Sequence, residues 1–131
     1  MSTNKGVNQH KPGADIRFKL IIGDAAIGPG KIRLLEKIRQ LGSVSAAARH
    51  MDMNVRRAQY LIKTLNDTLG RDVLETASGG RKGGHSMLSG VGKHLIRQYH
   101  QIDADIRKVT NGHLQSLPDA LLEPVNDKDD T

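Results

Sequence analysis

The chain has no cysteine and no tryptophan among its 131 residues, and only 2% of them are aromatic. The lack of cysteine excludes a disulfide scaffold and a thiolate metal site, and it fits a cytoplasmic protein. No apolar run approaches the roughly 20 residues of a membrane-spanning helix, and the N-terminus lacks the apolar segment of a signal peptide. We therefore expect one small cytoplasmic domain with an aliphatic core and polar tails.

Motifs of catalysis and of metal binding are also missing. The segment GDAAIGPGK follows a predicted strand, as a phosphate-binding loop would, but it has Ala25 in place of the first glycine and Ile32 in place of the Ser or Thr that holds magnesium. The six histidines have no HExxH spacing, and no serine lies in a nucleophile elbow. We expect no cofactor and no metal, and the sequence offers no case for an enzyme.

Positive charge is concentrated in the first part of the chain. The net charge is +6, but residues 113–131 carry −4, so the remainder carries +10. A basic domain followed by an acidic segment favours a polyanionic partner for the domain.

The stretch from Ser43 to Leu65 predicts two short helices joined by a tight turn. Ser43 and Ser45 are both suitable N-caps for the first helix, and three alanines follow. Asp52 tolerates the left-handed conformation at the turn, and Asn54 caps the second helix. This pattern is typical of a helix-turn-helix, which places its second helix in the major groove of DNA.

The second of these helices has an apolar face and a polar face. Steps of three and four place on one side Val55, Ala58, Ile62, Leu65 and Leu69. The other side carries basic and polar side chains that suit base edges and phosphates. The cap candidates Ser45 and Asn54 are included among the candidate DNA contacts. On these two helices, those contacts are Ser45, Asn54, Arg56, Arg57, Gln59, Tyr60 and Lys63. The alternative is an ordinary helical hairpin with a solvated basic face.

Further elements surround this pair of helices. Alternation from Ile16 to Ile22 predicts a half-buried strand, and a helix should run from Pro29-Gly30 to about Leu41, ending at Gly42. Short strands at residues 72–76 and 86–89 flank the Gly-rich loop 78–85, which suggests a wing. In that loop Arg81 and Lys82 are candidate DNA contacts, to phosphates or the minor groove. The alternative is a mobile surface loop.

A terminal helix, capped by Ser86 or Ser89, is predicted to run to about Val109. Its apolar residues recur almost as a heptad. We assign to a dimer interface Leu95, Tyr99, Ile102 and Ile106. The same stripe could instead pack on the first strand and helix of its own chain. The domain boundaries are a disordered tail at 1–14, a domain at 15–110 and a flexible acidic tail at 111–131.

Two long runs carry a resemblance to a known family. The pieces GPGKIRLLEKI, GSVSAAA, TASGGRKGG and MLSGVGKHL resemble the N-terminal DNA-binding domain of the molybdate-responsive ModE family, and more distantly the LysR-type domain. The resemblance covers about residues 15–105. It implies a mainly α fold with a small sheet, a winged helix-turn-helix, and a bacterial homodimer that binds palindromic double-stranded DNA.

The chain departs from the family pattern at two positions. Asp52 replaces the usual glycine of the turn, and Gln59 replaces the tryptophan that usually follows the Arg-Ala pair. Family members also continue into molybdate-binding domains, for which the acidic tail has no motif, so we expect no molybdate binding by this chain. The rival hypothesis is a winged-helix module that binds protein, without sequence-specific DNA binding.

Overall fold

The computed structural model describes residues 13–77 and 85–122. Both tails, at residues 1–12 and 123–131, and the loop residues 78–84 with Arg81 and Lys82 lie outside the described residues. Within the described part, contacts group residues 17–103 into a larger unit and residues 13–16 with 104–122 into a smaller one. The architecture is mainly helical with small antiparallel sheets.

The described elements follow one another in a simple order. They are β1 (Leu20–Ile22), β2 (Ala25–Ile27), α1 (Pro29–Leu41), α2 (Val44–His50), α3 (Val55–Leu69), β3 (Leu74–Ala77), β4 (His85–Leu88), α4 (Gly90–Gln115) and a 3₁₀ helix (Asp119–Leu122). Strand β1 pairs with β2, and β3 pairs with β4, both antiparallel. No helix within residues 13–77 or 85–122 combines the length and the apolarity needed to cross a membrane.

The predicted strand from Ile16 to Ile22 is only partly right. Burial alternates from residue 13 to Leu20 as expected, but β1 begins only at Leu20. The chain then turns back at Gly23, whose φ is 58°, and forms β2 inside the segment that the sequence suggested as a loop. Strand β2 was missed because it has three residues, two of them alanine, and alanine is depleted in strands.

The predicted ends of α1, α2 and α3 are confirmed. Gly42 ends α1 in the left-handed region, with its N–H bonded to the Ile38 carbonyl oxygen at 2.8 Å. Ser43, and not Ser45, caps α2, because its Oγ accepts the Ala46 N–H at 3.0 Å. Asp52 adopts a left-handed φ of 60° in the turn, as predicted.

The larger unit has an aliphatic core, as the scarcity of aromatic residues predicts. Its fully buried large side chains are Ile27, Ile32, Leu34, Leu35, Ile38, Leu65 and Val73. Tyr99 adds the one buried ring of this core, stacked on Phe18 with 4.4 Å between ring centroids. The Tyr99 hydroxyl donates to the Phe18 carbonyl oxygen at 3.0 Å, which satisfies its polar end.

Ser89 connects the β3–β4 pair to α4. Its Oγ accepts the Gly92 N–H at 3.1 Å and donates to the Asp72 carbonyl oxygen at 2.7 Å, so Ser89 and not Ser86 caps the helix. The Ser86 N–H instead donates to the Gly42 carbonyl oxygen at 2.9 Å. This bond ties β4 to the end of α1. The two strands themselves lie one or two residues from their predicted positions.

Helix α4 is longer than predicted. It continues through Asn111 and Gly112 to Gln115, where the sequence suggested the start of a flexible tail. Loss of apolar periodicity does not by itself end a helix, and no proline interrupts the chain before Pro118. In the smaller unit the Arg107 guanidinium pairs with the Asp15 carboxylate at 2.8 Å.

The stripe predicted as a dimer interface divides into two parts. Leu95 and Tyr99 are buried in the core of their own chain, with 8% and 5% of their surface exposed, which leaves little of either side chain for contact with a second copy. Ile102 and Ile106 are half-buried. Periodicity marks a buried face, but it does not reveal whether the same chain or a second copy covers it.

Candidate nucleic-acid interface

Helix α3 separates its apolar and polar residues onto opposite faces. Ala58, Ile62 and Leu65 are buried in the core. The exposed side chains are those of Arg56, Arg57, Gln59, Tyr60, Lys63 and Asp67. At about 100° per residue, Arg56, Tyr60, Lys63 and Asp67 fall within an arc of roughly 60°. Tyr60 leaves 61% of its surface exposed, which is unusual for an aromatic residue in a chain so poor in them.

The turn before α3 fixes the position of its first residues. The Met53 N–H donates to the Ala48 carbonyl oxygen at 2.9 Å, so the chain reverses closely around Asp52. Asn54 then caps α3, since its Oδ1 accepts the Arg57 N–H at 2.8 Å. This bond occupies the acceptor atom of Asn54 and leaves its amide group as a donor. The N-terminal end of α3 is therefore capped and presents donors to the exterior.

The two halves of the exposed face differ in charge. Arg56 and Arg57 lie in the first turn of α3, whereas Lys63 lies two turns further on. The Lys63 ammonium contacts the Asp67 carboxylate at 3.0 Å, and both side chains are largely exposed, at 71% and 65%. Such a surface pair contributes little to stability, but it neutralises the positive charge locally. The positive end of the face is thus the N-terminal one.

Sequence reasoning missed Asp67, although its spacing of four residues from Lys63 was a readable signal. It also omitted Arg49, which is exposed on α2 one turn after the exposed Ser45. Both serine and arginine side chains suit phosphate oxygens. The α2 residues therefore extend the polar surface beyond α3.

The predicted wing is described only at its base. Strands β3 and β4 pair as far as Ala77 and His85, so residues 78–84 connect two hydrogen-bonded strands. The ring of His85 lies over Gly42, where an added Cβ would be 3.2 Å from Cε1. The base of the hairpin is thereby held against the end of α1.

The described residues form an exposed polar surface and contain no cluster suited to a metal ion. Among them, no group of three His, Asp or Glu side chains could hold a metal ion. None of their buried side-chain polar atoms lacks a hydrogen-bond partner. The α3 face offers an array of exposed donors and cations.

Comparison with known proteins relates the chain to transcription regulators and molybdenum-binding proteins. It is 36% identical over 102 residues to the transcriptional regulator ModE of Yersinia pestis, which covers 75% of the chain and 38% of that protein. It is 33% identical over 93 residues to the molybdenum-pterin-binding protein MopB of Rhodobacter capsulatus, covering 71% of the chain and 34% of MopB.

A third relative agrees with these two. The molybdenum transport protein ModE of Azotobacter vinelandii is 28% identical over 102 residues, which cover 78% of the chain and 35% of the relative. No family model matches the chain. These similarities support a relationship to the ModE family, although the chain spans only about a third of the length of these relatives. None of the three names describes an enzyme.

Proposed function

We propose that the chain is a DNA-binding transcriptional regulator of the ModE type, built as a winged helix-turn-helix. The observation that carries the proposal is the exposed polar face of α3, with Arg56 and Arg57 at its capped N-terminal end. Helix α2 and the turn at Asp52 supply the first half of the motif, and β3–β4 supplies the base of the wing. The relatives named as transcriptional regulators support the same function.

The dimensions of α3 suit the major groove. Its 15 residues span about 22 Å, and a groove about 12 Å wide admits one helix. Residues near the start of such a helix contact base edges, which assigns sequence preference to Arg56, Arg57 and Gln59. Arginine bonds the guanine edge with two donors, and glutamine bonds adenine. Lys63 lies about 10 Å from Arg56 along the helix axis, and we assign it to a phosphate contact.

The wing adds contacts that do not read sequence. Arg81 and Lys82 lie on the Gly-rich connection between β3 and β4, and flanking phosphates or the minor groove suit such cations.

Replacing Arg81 and Lys82 together by alanine should lower the affinity for DNA without changing the preferred core sequence. The reason is that backbone contacts position a protein on the duplex, whereas base contacts specify it. Binding-site selection with wild type and the double variant measures both quantities. A changed core sequence, or an unchanged affinity, would contradict the proposed role of the wing.

The active form is proposed to be a homodimer on an inverted repeat. A two-fold dimer needs a self-complementary patch and sets two recognition helices one or more DNA turns apart. Ile102 and Ile106 on α4, which their own chain covers only in part, are the residues assigned to this contact.

The double variant Ile102→Asp, Ile106→Asp should therefore sediment as a monomer, while wild type sediments as a dimer. Charge at two apolar contact positions is costly when the contact buries them. Circular dichroism verifies that the variant is folded, and Lys108→Asp on an exposed position of the same helix is the matched control. A monomeric wild type, or a folded variant that remains dimeric, would contradict the assignment.

Selection of bound fragments from a random duplex pool tests the proposed function as a whole. We expect one enriched motif with two-fold symmetry. Enrichment of no sequence over the starting pool would count against a sequence-specific regulator.

A further inference from the structure

A second basic surface lies between α1 and α4, on elements other than those proposed to enter the major groove. We call it the α1–α4 cation groove. Its polar lining residues are Glu36, Arg39, Lys93, Arg97, His100 and Gln101. A second depression on α1 shares Glu36 and Arg39 with this groove and adds Arg33 and Lys37. All of these residues belong to the larger unit of the chain.

The charge of this surface is strongly positive. Arg33 and Lys37 are spaced by four residues on α1, and Lys93 and Arg97 are spaced likewise on α4, so each pair stands about 6 Å apart along its helix. Arg39 lies in the lining shared by both depressions. The one carboxylate of the lining, Glu36, is engaged by His100, whose Nε2 lies 2.6 Å from the Glu36 Oε2. The surface thus presents five basic side chains against one engaged acid, whereas the α3 face presents three against Asp67.

The groove lacks the apolar anchors of a protein–protein contact. Ile96 is the one apolar residue of its described lining, and it is itself buried, with 5% exposed. Protein interfaces concentrate aromatic residues and methionine at their centre and are depleted in lysine, whereas DNA interfaces are more polar and strongly positive. Rows of arginine and lysine without such a centre suit a chain of phosphates.

We propose that the α1–α4 cation groove binds the phosphate backbone of duplex DNA, in addition to the contact made by α3. This contact reads no sequence, because bonds to phosphate oxygens position a protein on the duplex and carry no sequence information. It would allow one chain to hold a second stretch of duplex or a flanking stretch of the same one. The inference does not depend on sequence recognition by α3.

The test compares two triple variants of the full chain on a random-sequence duplex of 20 base pairs. The groove variant is Arg39→Gln, Lys93→Gln, Arg97→Gln. The matched control, Arg17→Gln, Lys19→Gln, Lys108→Gln, removes the same charge from exposed positions outside the groove and outside α3. Fluorescence anisotropy at several salt concentrations gives the affinity and its salt dependence, and circular dichroism verifies folding.

The groove variant should bind the random duplex about tenfold or more weakly than the control. Its slope of log K against log salt should be smaller than wild type by about 2 to 3, since each phosphate contact contributes about 0.9. The ratio of affinities for the selected and the random duplex should be the same in the groove variant as in wild type. If the α3 assignment is wrong, that ratio will be one in wild type. Equal affinity and equal slope for both triple variants would overturn the proposal. Polyglutamate offers a further test. If wild type and control bind it and the groove variant does not, while the groove variant and the control bind duplex equally, the partner is an acidic protein and the proposal is overturned.

Discussion

Replacing Gly92 by alanine is expected to destabilise the protein by about 3 kcal/mol or more, at the upper end of the cost of overpacking. An added Cβ would lie 2.4 Å from the Val73 carbonyl oxygen and 3.3 Å from the Leu88 side chain. The Val73 oxygen cannot move away easily, because it accepts the Ser89 N–H at 2.9 Å. The Gly92 N–H is itself held by Ser89 Oγ. The substitution therefore disrupts the packing where β3, β4 and α4 meet.

Gly112→Ala is the matched control on the same helix. Nothing lies within 4 Å of its added Cβ, and alanine favours a helix over glycine by about 1 kcal/mol. Urea unfolding should thus show Gly92→Ala strongly destabilised and Gly112→Ala unchanged or slightly stabilised. Similar unfolding midpoints for the two variants would mean that the close approach of α4 to Val73 is wrong.

Arg56→Ala should weaken binding to the selected site by about 1–3 kcal/mol and relax the preference at one base position. Arg56 is exposed in the first turn of α3, where base contacts of such helices concentrate. Lys63→Ala should weaken binding to all sequences alike, and only modestly, because Asp67 already neutralises much of the Lys63 charge.

Anisotropy titrations with the selected duplex and with single-base variants of it separate these two effects. Arg71→Ala, at an exposed residue just after α3, controls for the loss of one positive charge. Wild-type affinity and wild-type base preference in the Arg56 variant would remove α3 as the recognition element.

Local signals explain why the ends of α1, α2 and α3 could be predicted from the sequence. Ser43, Asn54 and Gly42 act through bonds to residues three or four positions away, so their effect is encoded in neighbouring letters. Strand β2 has no such signal, since its definition depends on pairing with β1. The long reach of α4 was missed because amphipathic periodicity fades before the helix ends.

The candidate site shows the same division between local and distant information. The shared face of Arg56, Tyr60 and Lys63 follows from helical geometry alone, so the sequence could place them together. The α1–α4 cation groove unites Arg39 with Arg97 only because two helices far apart in the sequence approach each other, which no local pattern reveals. Burial of Leu95 and Tyr99 likewise depends on what packs over them. The wing residues Arg81 and Lys82 lie outside the described residues and remain a sequence prediction.

The most direct test of DNA-binding regulation is titration of wild-type protein with the selected duplex and with a scrambled duplex of equal composition, over a range of salt. We expect tighter binding to the selected duplex at every salt concentration. We also expect log K for both duplexes to fall linearly with log salt, because cations of the protein replace counterions on phosphates. Equal affinity for the two duplexes, or an affinity that does not change with salt, would contradict DNA-binding regulation and favour a winged-helix module that binds protein.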